Sequence, residues 1–335
     1  MSRGAASPLM LYALLVSGVA AAGVVSLGIG QVPLSPMRVL GGISGGGDEL
    51  TQVIVQEIRL PRTLLAVLVG AALGVSGAAL QGFLRNPLAE PGLLGVSGGA
   101  ALGAVAAIYS GLTLAGILFL PLLAMAGAVA AVLLTYALAG RHGGSYTLIL
   151  AGIAVSSLFG AAVALALNLA PNPFAAMDVI FWLMGSLADR TMAQVWLVLP
   201  FLLLGGGLLL SCSRGLDALS LGEATARSLG IRLPWLQARL ALGVALAVGA
   251  AVSVSGSIGF VGLVVPHLLR PFVGHQPGRL LPASAFGGAM LLLLADMAVR
   301  LIPTSGLELR IGVVTALIGA PFFLLLLVHH RRRMV

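Results

Sequence analysis

Few side chains in this sequence have the chemistry to act. Two Gly-x-Ser-Gly quartets, Gly74-Val75-Ser76-Gly77 and Gly95-Val96-Ser97-Gly98, offer serine hydroxyls, and His267 offers a base. A serine activated by an imidazole is a nucleophile, so an intramembrane serine protease using Ser76 or Ser97 with His267 is one reading. The same quartets arise by chance in a chain with 46 glycines. The first also overlaps Gly70-x-x-x-Gly74, a pattern for close helix packing. Arg59 and Arg62 flank Pro61, and Arg300 follows Asp296 by one helical turn. Guanidinium groups pair bidentately with carboxylates, so these arginines suit an acidic partner. The plainer reading is snorkelling to an interface, with Asp296 neutralising Arg300. Arg310 is a weaker addition to that set.

Two further stretches stand out. Leu80 to Gly99 places Arg85, Asn86 and Glu90 around Pro87 and Pro91 between apolar runs. Proline ends a helix, so this reads as a sharp turn at a membrane surface. In the second stretch Ser220 and Glu223 have the spacing of a capping box. Glu223 and Arg227 share a face at i,i+4, and Gly230 is placed to end the helix left-handed. The expectation is a capped helix of about two turns. No acidic cluster is present to hold the magnesium of a prenyl- or phospho-transferase.

The elements that position these residues follow from composition. Of 335 residues 59% are hydrophobic and 8% charged, and the mean hydropathy is +1.10. A soluble domain carries roughly 25% charged residues, so a soluble enzyme, a nucleic-acid reader and a disordered regulator are excluded. All 18 basic residues are arginine. Without lysine the chain cannot form a conventional phosphate loop, so ATP-driven work must come from a partner. The arginines are scattered between apolar runs, which argues for membrane topology and against nucleic acid. The single cysteine, Cys212, excludes internal disulfides.

A bilayer core needs ~20 apolar residues per helix. Windows of that size fall at about 9–29, 62–82, 92–109, 113–138, 145–168, 192–211, 235–256, 258–273, 280–301 and 308–329. The fold class is therefore all-α, a polytopic membrane protein of about ten helices in one transmembrane domain over 1–335. The first window resembles a signal peptide, with Arg3 ahead of it, but a retained first helix is preferred. With ten crossings, twelve arginines fall on one side, including Arg3, Arg85, Arg141 and Arg331 to Arg333, and six on the other. Basic residues favour the cytoplasm, so both termini are expected there. Val75-Ser76-Gly77 and Val254-Ser255-Gly256 give a faint echo between halves.

Several segments then align with a known pattern. RLPR at Arg59–Arg62, LQGFLRNPLAEPGLLGVSGGAALGA at Leu80–Ala104 and LSLGEATARSLGI at Leu219–Ile231 are followed by GSIGFVGLVVPHLLR at Gly256–Arg270. LLLADMAVR at Leu292–Arg300 and ELRIGVVTALIGAPFFLLLL at Glu308–Leu327 complete the series. In this order the chain resembles the FecCD-type permease family of ATP-binding-cassette importers for iron chelates, haem and cobalamin.

The resemblance implies a type II importer fold that works as a homodimer in the bacterial inner membrane. It implies two ATPase subunits on the cytoplasmic side, which hold the ATP and Mg, and one periplasmic substrate-binding protein. It implies no cofactor on this chain and no catalytic residue. The region of about 213–231 becomes the coupling helix that docks on the ATPase, through Leu219, Ser220, Leu221, Gly222, Glu223, Ala224, Arg227, Leu229 and Gly230. Of these, Leu219, Leu221, Ala224 and Leu229 would form the docking face. Arg59, Arg62 and Arg300 become exposed contacts for the binding protein. The cytoplasmic gate falls at Asn86, Leu88, Ser145 and Tyr146, where Tyr146 departs from the small residue expected. His267 takes a structural hydrogen-bonding role, with a haem ligand as the sharper alternative. The expected activity is ATP-driven alternating access, with the cargo undetermined among ferric siderophore, haem and cobalamin.

Overall fold

Inside lipid an α-helix satisfies its own backbone polar groups, so long apolar runs become helices. A computed structural model describes residues 8–30, 32–140, 145–302 and 308–334. Among them every regular element is helical. Seven helices are long and apolar enough to cross a membrane, and four shorter apolar helices accompany them. The main elements are α1 (Pro8–Gly28), α2 (Leu60–Leu84), α3 (Val96–Tyr109), α4 (Phe119–Ala139) and α5 (Ser145–Asn168). They continue with α6 (Pro173–Leu183), α7 (Met192–Ser211), α8 (Ser213–Ser220) and α9 (Glu223–Ser228). The chain closes with α10 (Leu233–Ser255), α11 (Val261–Leu269), α12 (Pro277–Leu301) and α13 (Ile311–Met334). Each of the ten expected windows holds one of these helices. α6, at 11 residues, is an additional apolar helix too short for a twenty-residue window.

α2 and α10 form the centre. In their most apolar windows 78% and 72% of residues are buried, against 11% for α1 and 28% for α5. α2 runs on from a π-turn at Ile54–Arg59, and the helical stretch from Glu49 to Leu84 is 36 residues long. Glycine sets how closely the helices approach. A Cβ at Gly70 would strike the carbonyl of Gly288, and one at Gly74 that of Ser284, so α2 and α12 touch backbone to backbone. Gly99 and Gly127 bring α3 against α4 in the same way. Without a hydrophobic force between helices in lipid, such small-residue contact supplies the packing.

α1 is built into this bundle. Its last turn leaves carbonyls without intrahelical donors, and two arginines supply them. Arg59 donates to the Leu27 carbonyl at 2.8 Å and to that of Val32. Arg300 donates to the Ser26 and Ile29 carbonyls at 2.9 and 3.0 Å. Ser26 and Thr63 share a buried hydrogen bond of 2.8 Å that ties α1 to α2. These ties make α1 part of the folded bundle.

Two interruptions shape the interior. After α2, Arg85 turns left-handed at φ 50°. The expected turn forms there, with Arg85 exposed, and the chain then runs inward. A short 3-10 turn at Pro91–Leu94 lies inside, where Thr135 of α4 donates to the Leu94 carbonyl at 3.0 Å. α4 continues four residues beyond Thr135, so this turn sits about 6 Å deeper than the helix end. α10 is interrupted too. Gly256 and Phe260 take φ of 68° and 67°, and α11 starts with Gly262 against Gly77 in the middle of α2. The echo between halves does not survive, since Val75–Gly77 lies within α2 while Val254–Gly256 ends α10.

Gly70→Val is expected to abolish folded membrane yield, because its side chain meets the Gly288 backbone. Gly206→Val should be tolerated, since no atom lies within 4 Å of a Cβ there. Size-exclusion profiles of both variants in detergent check this; equal profiles would remove the α2–α12 contact from its structural role.

Candidate functional site

Three groupings carry the polar chemistry: a charge cluster at one end, a cavity between the two interruptions, and a two-helix module at the other end. The cluster joins α2, α12 and the start of α13. Asp296 is fully buried. Arg62 Nε donates to it at 2.8 Å, and Arg300 pairs with its other oxygen at 2.7 Å. Arg62 also forks onto the Glu308 carboxylate. Burying two cations and a carboxylate is costly unless each is paired and hydrogen-bonded, and here each is.

This corrects the expectation of exposed docking arginines. Arg59 is 5% exposed, and the Arg62 and Arg300 side chains are 11% and 7% exposed. All three are committed to carbonyls at or just past the end of α1 or to carboxylates of their own chain. The i,i+4 spacing of Asp296 and Arg300 signalled that pair. Nothing local signalled Arg59, whose partners lie 27 and 32 residues away. Arg310 instead lies over the ring of Phe181, 5.0 Å from its centroid.

The cavity, about 430 Å3, opens between the Pro91–Leu94 turn, α5 and the break after α10. Glu90 and Phe260 both line it, one from each interruption. Ser97, Ser157 and Ser257 add hydroxyls to its wall, and Ser156 donates to the Gly92 carbonyl at 3.3 Å. Irregular backbone at membrane depth is tolerated where it lines such a space. Glu90 was noted in the sequence only as part of a polar turn, and its place in a cavity needed the second interruption to appear.

Of the expected gate, Asn86 accepts from the Leu88 backbone N–H at 3.0 Å and so closes its own turn. Leu88 is half-buried, and Tyr146 at the start of α5 is 74% exposed. Ser145 begins α5, and its side chain lies outside the described residues, as do those of Arg331, Arg332 and Arg333. Arg3 and Arg141 also lie outside them. The His267 ring meets Phe322 of α13 edge-on, with centroids 5.7 Å apart. Ser76 is fully buried inside α2, closed to a peptide substrate, and the protease reading finds no support.

The two-helix module differs from the expected single capped helix. α8 runs through Ser220, whose hydroxyl donates back to the Asp217 carbonyl at 2.6 Å, so no capping box forms. Burial of Leu216 and Leu219 extends α8 that far. Gly222 at φ 107° then turns the chain into α9. Gly230, at φ 82°, ends α9 as expected. Ile231 N–H bonds the Ala226 carbonyl and Gly230 N–H that of Arg227, each at 3.0 Å, which is a Schellman closure. Glu223 pairs with Arg227 and with Arg85, each at 3.5 Å. Leu219 is 3% exposed and cannot belong to an outer face, whereas Leu221 and Leu229 are 67% and 60% exposed. Ala224 is exposed beside them.

Asp296→Asn is expected to cost about 3–5 kcal/mol of stability, the usual effect of breaking a buried pair and stranding its partner cations. Glu308→Gln should cost less, since its side chain is 32% exposed and Arg62 keeps Asp296. Thermal denaturation in detergent measures both; an unchanged Asp296→Asn midpoint would show that the cluster does not hold this end together.

The model of the FecCD transport family matches residues 18–329. The cobalamin import system permease protein BtuC of Halobacterium salinarum is 45% identical over 288 residues, covering 84% of this chain and 75% of that one. The Fe(3+) dicitrate transport system permease protein FecD of Escherichia coli is 40% identical over 322 residues, covering 96% and 99%. A solved inward-facing ABC transporter of the metal-chelate type matches with a TM-score of 0.83 and 35% identity, over 96% of this chain and 99% of that one. With the helices, the interruptions and this end-to-end likeness together, the chain belongs to the FecCD transport family, as a multi-pass permease subunit of an ABC importer and not an enzyme.

Proposed function

We propose that the chain works as a homodimer in the bacterial inner membrane, importing an iron chelate, haem or cobalamin by ATP-driven alternating access. Importer permeases of this family act with ATPase and substrate-binding partners. The ATPase belongs at the α8–α9 module, and the observation that carries this is the exposed pair Leu221 and Leu229 on a rigid, closed two-helix unit. Such a unit presents a fixed apolar knob to a cleft, and it is tied into the bundle by Leu216 and Leu219. The module lies on the arginine-rich side of the membrane, which is the cytoplasm by the positive-inside rule, so both termini are cytoplasmic. ATP and Mg belong to the two partner ATPase subunits.

The substrate-binding protein meets the opposite end. Because Arg59 and Arg300 are spent on α1, Arg62 is the member of the cluster best placed to exchange a carboxylate. Its partner Glu308 is 32% exposed, so an incoming acidic side chain can replace it without stranding Asp296. The second copy of the chain packs on α5, where Leu150, Ile153, Leu158 and Leu165 leave an apolar face uncovered. The cavity beside Glu90 opens on this helix and forms part of the path wall. Tyr146, at the cytoplasmic end of α5, narrows the path there together with the Asn86–Leu88 turn. Relatives named for cobalamin and for Fe(3+) dicitrate frame the cargo class.

Leu221→Glu with Leu229→Glu is expected to leave membrane insertion unchanged and to weaken ATPase co-purification by more than about tenfold, the loss that follows from removing apolar anchors at an interface centre. Undiminished co-purification rejects the module's role. Tyr146→Cys in a Cys212→Ser background should give an oxidised dimer band on a non-reducing gel. A monomer alone under oxidising conditions would move the dimer axis away from α5.

A further inference from the structure

α12 starts without a cap from its own sequence. Gln276 occupies its N-cap position and makes no capping bond there. The cap comes from α8 instead. Asp217 accepts the Gly278 backbone N–H at 2.6 Å and the Gln276 side-chain amide at 3.0 Å. A carboxylate at a helix N-terminus satisfies a free donor and favours the helix dipole. The approach is close: a Cβ at Gly278 would lie 2.6 Å from Asp217 Oδ2. Pro282, one turn later, has no N–H to bond the Gly278 carbonyl. The first turn of α12 is therefore held less by its own helix and more by Asp217.

Beyond Pro282, Ser284 and Gly288 press against Gly74 and Gly70 of α2. At its far end α12 carries Asp296 and Arg300 of the charge cluster. Its 25 residues span about 37 Å at 1.5 Å per residue. A single helix thus runs from the two-helix module to the cluster, and Asp217 is the polar link at its first turn. Among the described residues the other polar tie from the module, Glu223 to Arg85, is an exposed 3.5 Å pair of the kind that contributes little.

We propose that Asp217 is the positioning residue that makes the 213–231 module and α12 one moving body, so that ATPase-driven displacement of the module reaches the charge cluster through α12. The proposal rests on the module being the ATPase contact. Its consequence is specific: the module and the first turn of α12 keep their relative position throughout the cycle, and breaking their link uncouples hydrolysis from import.

The test uses the permease reconstituted with its ATPase and binding protein. Asp217→Ala should still co-purify with the ATPase, since Leu221 and Leu229 are untouched, while cargo imported per ATP hydrolysed falls about tenfold, within the usual range of a site-to-site coupling. Asp217→Asn keeps an acceptor for the Gly278 N–H and should restore most of that ratio. The Cβ position at 278 lies 3.0 Å from the Asp217 carboxyl carbon, so Asp217→Cys with Gly278→Cys falls within disulfide reach. In a Cys212→Ser background the reduced pair, which lacks the Asp217 carboxylate, should import as poorly per ATP as Asp217→Ala, and oxidation, which relinks the two segments, should restore the ratio. An unchanged import-to-hydrolysis ratio in Asp217→Ala overturns the proposal. So does import that stops on oxidation and returns on reduction, because the two segments must then move apart. The disulfide arm also decides the matter if Asp217→Ala does not fold. Failure of the module assignment itself would read out separately, as ATPase binding that survives Leu221→Glu with Leu229→Glu.

Discussion

A backbone polar group left unpaired in lipid costs several kcal/mol, and the departures from plain helix in this chain are answers to that constraint. Where α1 ends, Arg59 from the turn ahead of α2 and Arg300 from α12 reach across to donate to the Leu27, Ser26 and Ile29 carbonyls. Where α2 ends, the Asn86 side chain accepts the Leu88 N–H, and Thr135 donates to the Leu94 carbonyl from the neighbouring helix. Where α10 breaks, Gln81 donates to the Gly262 carbonyl at 3.2 Å. Arg270 then holds the Gln81 oxygen at 2.6 Å.

The charge cluster follows from the same constraint. Once Arg300 is drawn inward to cap α1, its positive charge needs a carboxylate, and Asp296 one turn earlier supplies it. Asp296 has a second oxygen, which takes Arg62, and Arg62 has remaining donors, which take Glu308. The chain of pairing runs from fully buried Asp296 outward to partly exposed Glu308. Only its outer member is available for exchange with a partner. At the opposite end the α8–α9 module is closed by backbone geometry and leaves Leu221 and Leu229 exposed. The two ends are thus built differently, one from buried charge and one from an exposed apolar knob, with α2 and α12 in backbone contact between them.

Much of this was legible in the residues. Long apolar runs and absent lysine excluded soluble and phosphate-loop chemistry, and each ten-window expectation coincides with a helix. Glu223–Arg227 and the Gly230 cap are local patterns, fixed within one or two turns, and they hold. The Ser220–Glu223 capping box is also a local pattern but does not form, because burial of Leu216 and Leu219 carries α8 past its start. Spacing reports what a segment can do alone; packing chooses among those options. α6 escaped notice because 11 apolar residues fall short of a span and are helical here within a bundle.

The sequence by itself determined that this chain is a lipid-embedded helical permease, where its helices run, and which family it resembles. Those properties follow from hydropathy, glycine and proline placement, and motif order, all of which act over short separations. Tertiary structure alone decided that Arg59 and Arg300 turn inward, that the Pro91–Leu94 turn dips below the surface, and that Asp217 caps a helix 60 residues further along. Each of these is a partnership between segments far apart in sequence. A buried donor or acceptor must find a partner, and which partner lies near depends on how the helices pack.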